Sequence, residues 1–78
     1  MSGEVEYSVK AIRTVMREYQ ERLIEILRKY GVSSIREFRE MVMRGKVRGE
    51  SAQDDLIEAI SIGRTINILR GMLERARK

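Results

Sequence analysis

The sequence predicts an all-α protein with three helices in the order long, short, long. Apolar residues recur every three or four positions in three separate segments, and the chain contains no proline to interrupt them. Glycine or serine residues separate the segments, as expected for helix ends. The predicted helices span about residues 4–30, 34–44 and 52–76, and a chain of 78 residues leaves room for one domain, residues 1–78.

The first helix is predicted from a continuous heptad-type seam of apolar residues. Glu4 and Glu6 lie in its first turn and Arg28 and Lys29 in its last turn, where the helix dipole favours those charges. Gly31 has the position of a left-handed residue that ends a helix. The seam alternates spacings of four and three residues and consists of Val5, Val9, Ile12, Met16, Tyr19, Leu23, Ile26 and Tyr30.

The short second helix is predicted from its end signals. Ser34 and Glu37 have the spacing of a capping box, in which each side chain bonds the backbone N–H of the other. Gly45 ends the helix after about ten residues. Its apolar face consists of Ile35, Phe38, Met41 and Val42.

The third helix is predicted to begin at the cap Ser51, with Asp54 and Asp55 in its first turn. Its main seam continues from Ala59 through Ile62, Ile66, Leu69, Leu73 and Ala76. A ridge of small residues at a spacing of four is formed by Ala59, Gly63, Asn67 and Gly71. Because glycine inside a helix costs about 1 kcal/mol relative to alanine, this ridge indicates close packing of another backbone; the alternative is a solvent-facing ridge.

The lengths of the helices favour self-association. Two helices of roughly 40 Å carry apolar residues along their whole lengths, and a third of roughly 15 Å is too short to cover them. We therefore expect a homodimer with a bundle core; a monomeric three-helix bundle and a complex with another protein are the alternatives. The expected interface consists of Val9, Ile12, Met16, Tyr19, Leu23, Ala59, Gly63, Ile66, Asn67, Leu69, Gly71 and Leu73.

The residue types exclude several chemistries. Cysteine and histidine are absent, so thiolate nucleophiles, histidine bases, disulfides and zinc fingers are excluded. The acidic residues of the first helix have arginines at helical spacing, which is typical of solvated ion pairs. We predict no enzyme activity and no catalytic, cofactor-binding or metal-binding residue.

The charge leaves a second function class open. The net charge is +4, and basic residues are densest in the second connector and at the carboxyl end. A basic surface of this kind is the usual footprint of nucleic-acid binding, although no aromatic residue stands among these arginines to stack on bases. The candidate phosphate contacts are Arg44, Lys46, Arg48, Arg75, Arg77 and Lys78.

Location and source are predicted only coarsely. The apolar runs are too short to span a membrane and the first residues lack the pattern of a signal peptide, so we expect a cytoplasmic protein without a membrane partner. Arginine outnumbers lysine twelve to four, which favours a heat-adapted source.

The stretch from Leu27 to Val47 resembles small helical proteins of archaea and thermophilic bacteria that are often taken to be antitoxin components. The resemblance lies in a long helix that ends at Tyr-Gly-Val-Ser-Ser (residues 30–34), a short helix that ends in Gly45, and an acidic turn that opens the last helix. It implies a protein that docks onto a toxin partner. We therefore expect a non-enzymatic helical interaction module, with nucleic-acid binding as the alternative.

Overall fold

The computed structural model describes the backbone of residues 2–77 and the side chains of residues 9–76. It contains helices α1 (Ser2–Lys29), α2 (Ile35–Met43) and α3 (Glu50–Arg77), and no strand in the described residues. The all-α prediction and the long–short–long order are therefore confirmed, and each helix end lies within two residues of its predicted position. None of the helices in residues 2–77 carries an apolar segment long enough to cross a membrane.

The C-terminal ends of α1 and α2 follow the same local capping rule. Gly31 has a φ of +67°. The N–H of Val32 bonds the carbonyl of Leu27 at 3.0 Å, and the N–H of Gly31 bonds that of Arg28 at 3.1 Å. This is a Schellman ending, in which glycine takes the left-handed position that a Cβ disfavours. The same pair of bonds recurs after α2, around Gly45 with a φ of +72°.

The N-terminal caps differ in two details from the prediction. The Ser34 hydroxyl accepts the N–H of Glu37 at 3.1 Å, as expected. The Glu37 carboxylate, however, accepts the N–H of Ser33 at 3.1 Å and not that of Ser34. The third helix begins at Glu50, and its first helical bond joins the N–H of Gln53 to the carbonyl of Gly49. The prediction of Ser51 as the cap is wrong, because the helix already begins at Glu50 and Ser51 is its second residue.

The two long helices form an antiparallel hairpin. Arg22 of α1 bonds Glu58 of α3, and Lys29, further along α1, bonds Asp55, which comes earlier in α3. Helix α2 packs against α3 on one side of this hairpin. The molecule is consequently a rod of 51 × 18 × 17 Å.

The buried core lies where the three helices meet. Phe38 of α2 is fully buried, and its ring stacks on Tyr30 with centroids 4.4 Å apart. Partly buried side chains such as Leu23, Leu27 and Leu56 surround this core. The buried residues are Ile26, Val32, Phe38, Ala52, Ala59, Ile62 and Ile66. We call this part, residues 20–66, the three-helix end.

Beyond α2 only two helices remain. We call residues 9–19 of α1 and 67–76 of α3 the two-helix arm, and none of the described side chains in it is buried. The radius of gyration is 15.5 Å, whereas a compact chain of this length has about 11.5 Å. The short α2 therefore completes a core for only half of the hairpin.

Candidate functional site

The side of the hairpin opposite α2 carries a long groove between α1 and α3. Its volume is about 640 Å³, and no α2 residue lines it. A separate groove on the other side includes Ile35 of α2 and shares no lining residue with the first. We call the side without α2 the open face; its groove is lined by Val15, Glu18, Tyr19, Arg22, Asp54, Ile57, Glu58, Ser61 and Ile62.

Large apolar side chains project from the open face and its α3 edge. Val15 and Tyr19 on α1 are 39% and 38% exposed, and Ile57 on α3 is 66% exposed. Ile68 and Met72 continue the α3 row at helical spacing, with exposures of 62% and 39%. Contiguous apolar surface of this kind marks interaction sites in soluble proteins.

An ion pair crosses the open face within the groove. Arg22 donates from Nε and Nη2 to the two carboxylate oxygens of Glu58, at 2.7 and 2.9 Å, and also contacts Glu25 at 3.2 Å. These hydrogen bonds raise the pKa of Arg22, and the Arg22 hydrogen bond lowers the pKa of Glu58. Both side chains are substantially exposed, so the pair fixes the register of α1 on α3 more than it stabilises the fold.

A second polar group closes the hairpin beside the core. The Asp55 carboxylate accepts a hydrogen bond from the Tyr30 hydroxyl at 2.5 Å and another from Lys29 at 3.0 Å. The Tyr30 hydrogen bond and then that of Lys29 lower the pKa of Asp55. The bonds to Asp55 raise the pKa of Tyr30 and of Lys29. All members have a partner within the chain, which is typical of a structural cluster.

The residues expected at an interface fall into four groups. Ala59 and Ile66 are buried in the core of a single chain, and Met16 and Leu23 pack against that core. Tyr19 lies on the open face. Asn67 is exposed on the other side, beside Arg70. The half-buried remainder consists of Val9, Ile12, Gly63, Leu69, Gly71 and Leu73.

Gly63 has a close neighbour, but within the same chain. A Cβ at this position would lie 2.8 Å from Cδ1 of Ile35 in α2. Glycine is therefore explained by the seating of α2 on α3, and no second copy is needed to account for it. At Gly71 a Cβ would meet only the Arg75 side chain, at 3.6 Å. The small-residue ridge thus contacts α2 near the core and is open further along.

The expected interface left out four apolar residues of the open face: Val15, Ile57, Ile68 and Met72. The available signal was a second apolar row beside the main seam of each long helix. Val15 widens the stripe of α1, and Ile57, Ile68 and Met72 stand at spacings that share a flank of α3. A row outside the main seam indicates a second packing neighbour.

The candidate phosphate contacts whose side chains the structure describes are not brought together. Arg44, Lys46 and Arg48 lie in the connector at the three-helix end, where Arg48 Nε bonds the carbonyl of Gly45 at 3.2 Å. Arg75 lies 25 residues after the start of α3, roughly 38 Å away along its axis. The Arg77 side chain and all of Lys78 lie outside the described residues.

Acidic side chains do not converge on one point. Within residues 9–76, no group of three aspartates or glutamates is close enough to hold a metal ion.

Comparison with known proteins places the chain in a family. No curated protein and no solved structure matched it. The likeness to antitoxin components found in residues 27–47 gains no support from these comparisons and stays a prediction. A family model described as "Uncharacterized protein MJ0235 family" matches residues 5–78. Since this match covers nearly the whole chain, the protein belongs to the MJ0235 family.

Proposed function

We propose that the chain is a non-enzymatic helical interaction module that associates with itself. One observation carries the proposal: the surface of a single chain is too large for its mass. The chain exposes 6194 Å², whereas a compact monomer of 9.1 kDa exposes about 4,900 Å². The excess is about 1,300 Å², and a standard interface buries about 800 Å² on each partner.

The position of the exposed surface supports the same function. The two-helix arm has no buried residue among those described, yet it carries Val15, Tyr19, Ile68 and Met72 on one side. Pairing two hairpins through such sides gives a four-helix core, which is a common arrangement of helical dimers. We place this module in the cytoplasm.

Light scattering coupled to gel filtration tests the proposal directly. We expect a mass of twice 9.1 kDa at micromolar concentration. A mass that stays at 9.1 kDa up to high micromolar concentration would contradict self-association.

A regulator of antitoxin type is the finer form of this proposal. It rests on the resemblance of residues 27–47, which here form the end of α1, the Gly31 turn, α2 and the Gly45 turn. The test is functional: the product of an adjacent reading frame should arrest growth of a host cell, and co-expression of this chain should relieve the arrest. Unrelieved growth arrest, or no toxic neighbour, would exclude this form.

Nucleic-acid binding is the second candidate, and the free basic side chains favour it. Arg44 and Lys46 form no ion pair among the described side chains, and Arg13, Arg17 and Arg70 line grooves on the side of α2. Phosphate contacts release counterions, so affinity should fall steeply as salt rises. Fluorescence anisotropy with labelled duplex DNA and single-stranded RNA, at low and at physiological salt, measures this. No binding at low salt would eliminate the candidate.

A further inference from the structure

We propose that a second copy packs on the open face with its two-fold axis parallel to the long helices, so that α1 of each copy lies on α3 of the other. This inference rests on the proposed self-association and specifies its geometry. It follows from three features of the open face: the apolar strip, the charges along its two edges, and the levels of those charges along the rod.

The middle of the open face is suited to a helix of an identical chain. Ser61 and Thr65 stand between the apolar residues Ile57, Ile68 and Met72, and the exposed Arg64 lies on the outer side of the same row. Small and apolar residues allow two helices to approach closely. The Arg22–Glu58 pair lies at the core-side end of the strip and already satisfies its own charges.

The two edges of the open face carry opposite charge. Glu18, Glu21 and Glu25 stand at helical spacing on the outer flank of α1. Arg64 and Arg75, eleven residues apart, share the outer flank of α3. Of these five exposed residues, only Glu25 forms an ion pair among the described side chains. The α1 edge is thus acidic, whereas the α3 edge is basic from Arg64 onwards and carries the acidic Asp54 nearer the core; both edges retain unpaired charge.

This distribution distinguishes the two ways in which identical hairpins can stack face to face. A two-fold axis across the helices would set α1 on α1 and bring the acidic edge against itself, which opposes association. An axis along the helices sets the acidic edge of each copy against the basic edge of the other. Charge complementarity therefore favours the second arrangement.

The levels of Glu18 and Arg64 agree with that arrangement, whereas Glu25 and Asp54, which also share a level, carry like charge. The Arg22–Glu58 bond fixes one level along the antiparallel hairpin. Glu18 comes four residues before Arg22 and is therefore level with Ile62, which comes four residues after Glu58. Arg64 is two residues beyond Ile62, which corresponds to about 3 Å along the helix axis. A rotation about an axis along the helices keeps each level, so Glu18 would face the partner's Arg64 twice in the dimer.

Charge reversal tests the geometry. Sedimentation equilibrium measures the dimer Kd of Glu18→Arg, of Arg64→Glu and of the double variant. Each single reversal sets like charges against each other at two symmetric places, so its Kd should rise about tenfold or more. The double variant should regain most of the wild-type affinity, and an equimolar mixture of the two single variants should form a heterodimer.

Matched reversals on α2 control for net charge. Glu40→Arg and Arg39→Glu change the charge by the same amounts on exposed positions of α2, away from the open face, and should leave the Kd unchanged. Circular dichroism should show wild-type helix content for every variant.

The outcomes separate this inference from the proposed function. A wild-type chain that remains monomeric overturns both. If the wild type is a dimer but neither single reversal changes the Kd, or the double variant does not restore it, the two-fold geometry is wrong. Self-association would still hold in that case.

Discussion

The two halves of this rod have the same helices but different numbers of neighbours. In the three-helix end, α2 covers one side of the hairpin and seven apolar residues are buried. In the two-helix arm, the same heptad seam continues, yet none of the described side chains is buried. An apolar helix stripe therefore predicts a helix, whereas burial depends on how many neighbours the rest of the chain supplies.

Removal of the central ring of the three-helix end should have the largest effect on stability. Among residues 9–76, Phe38 is the one large side chain that is fully buried, and Phe38→Ala deletes it together with its stacking on Tyr30. We expect a loss of about 3–5 kcal/mol in the free energy of unfolding. Urea denaturation at a fixed protein concentration measures it. Tyr19→Ala in the arm is the matched change, and an equal loss there would show that the two halves are not different.

Filling the contact between α2 and α3 should come next. Gly63→Leu forces a side chain against Ile35, and such overpacking costs about 1–3 kcal/mol. Gly71→Ala, in the arm, meets only the flexible Arg75 side chain and should gain up to about 1 kcal/mol from helix propensity. Thermal unfolding followed by circular dichroism compares the two. Stabilisation by Gly63→Leu would contradict the packing described for α2.

A charge in the apolar strip should weaken association without unfolding the chain. Met72→Arg places a cation on the open face of the arm, and we expect the dimer Kd to rise about tenfold, which is about 1.4 kcal/mol. Met43→Arg is the control, because Met43 is 76% exposed on α2. Light scattering over a dilution series measures both. Equal effects of the two substitutions would mean that the open face is not the interface.

The smallest effect should appear in acid. The Tyr30 and Lys29 hydrogen bonds hold the pKa of Asp55 below its ordinary value, so their contribution is complete above about pH 4 and is lost as pH falls through the lowered pKa. Asp55→Asn should be slightly less stable than wild type at pH 7, because the partner Lys29 is exposed and solvent screens its bond to Asp55. The two melting temperatures should converge as the pH falls below the ordinary pKa of an aspartate and through the lowered pKa of Asp55.

The neighbouring Asp54 makes no such hydrogen bond among the described side chains, so Asp54→Asn controls for the loss of a charge near the start of α3. A difference between Asp55→Asn and wild type that is constant from pH 7 to pH 3 would contradict the role given to this carboxylate.

Local rules predicted the helices well and the surface only in part. Gly31 and Gly45 end their helices as expected, because capping depends on residues within one turn. The contact between Gly63 and Ile35 joins residues 28 positions apart, so the spacing of small residues indicated a close neighbour without its identity. The open face could not be predicted from the sequence either. The side of the hairpin on which α2 packs decides which flank of α3 stays uncovered.

The antiparallel hairpin also sets how the molecule responds to force. Ser2 and Arg77 begin α1 and end α3, so the two outer ends of the long helices lie together at the tip of the arm, opposite α2. A force that pulls these two ends apart separates α1 from α3 one helical turn at a time. Separation begins in the arm, where the fewest apolar contacts hold the two helices together. The rod should therefore unzip from the arm towards Phe38, and its resistance should rise sharply only when the separation reaches the three-helix end.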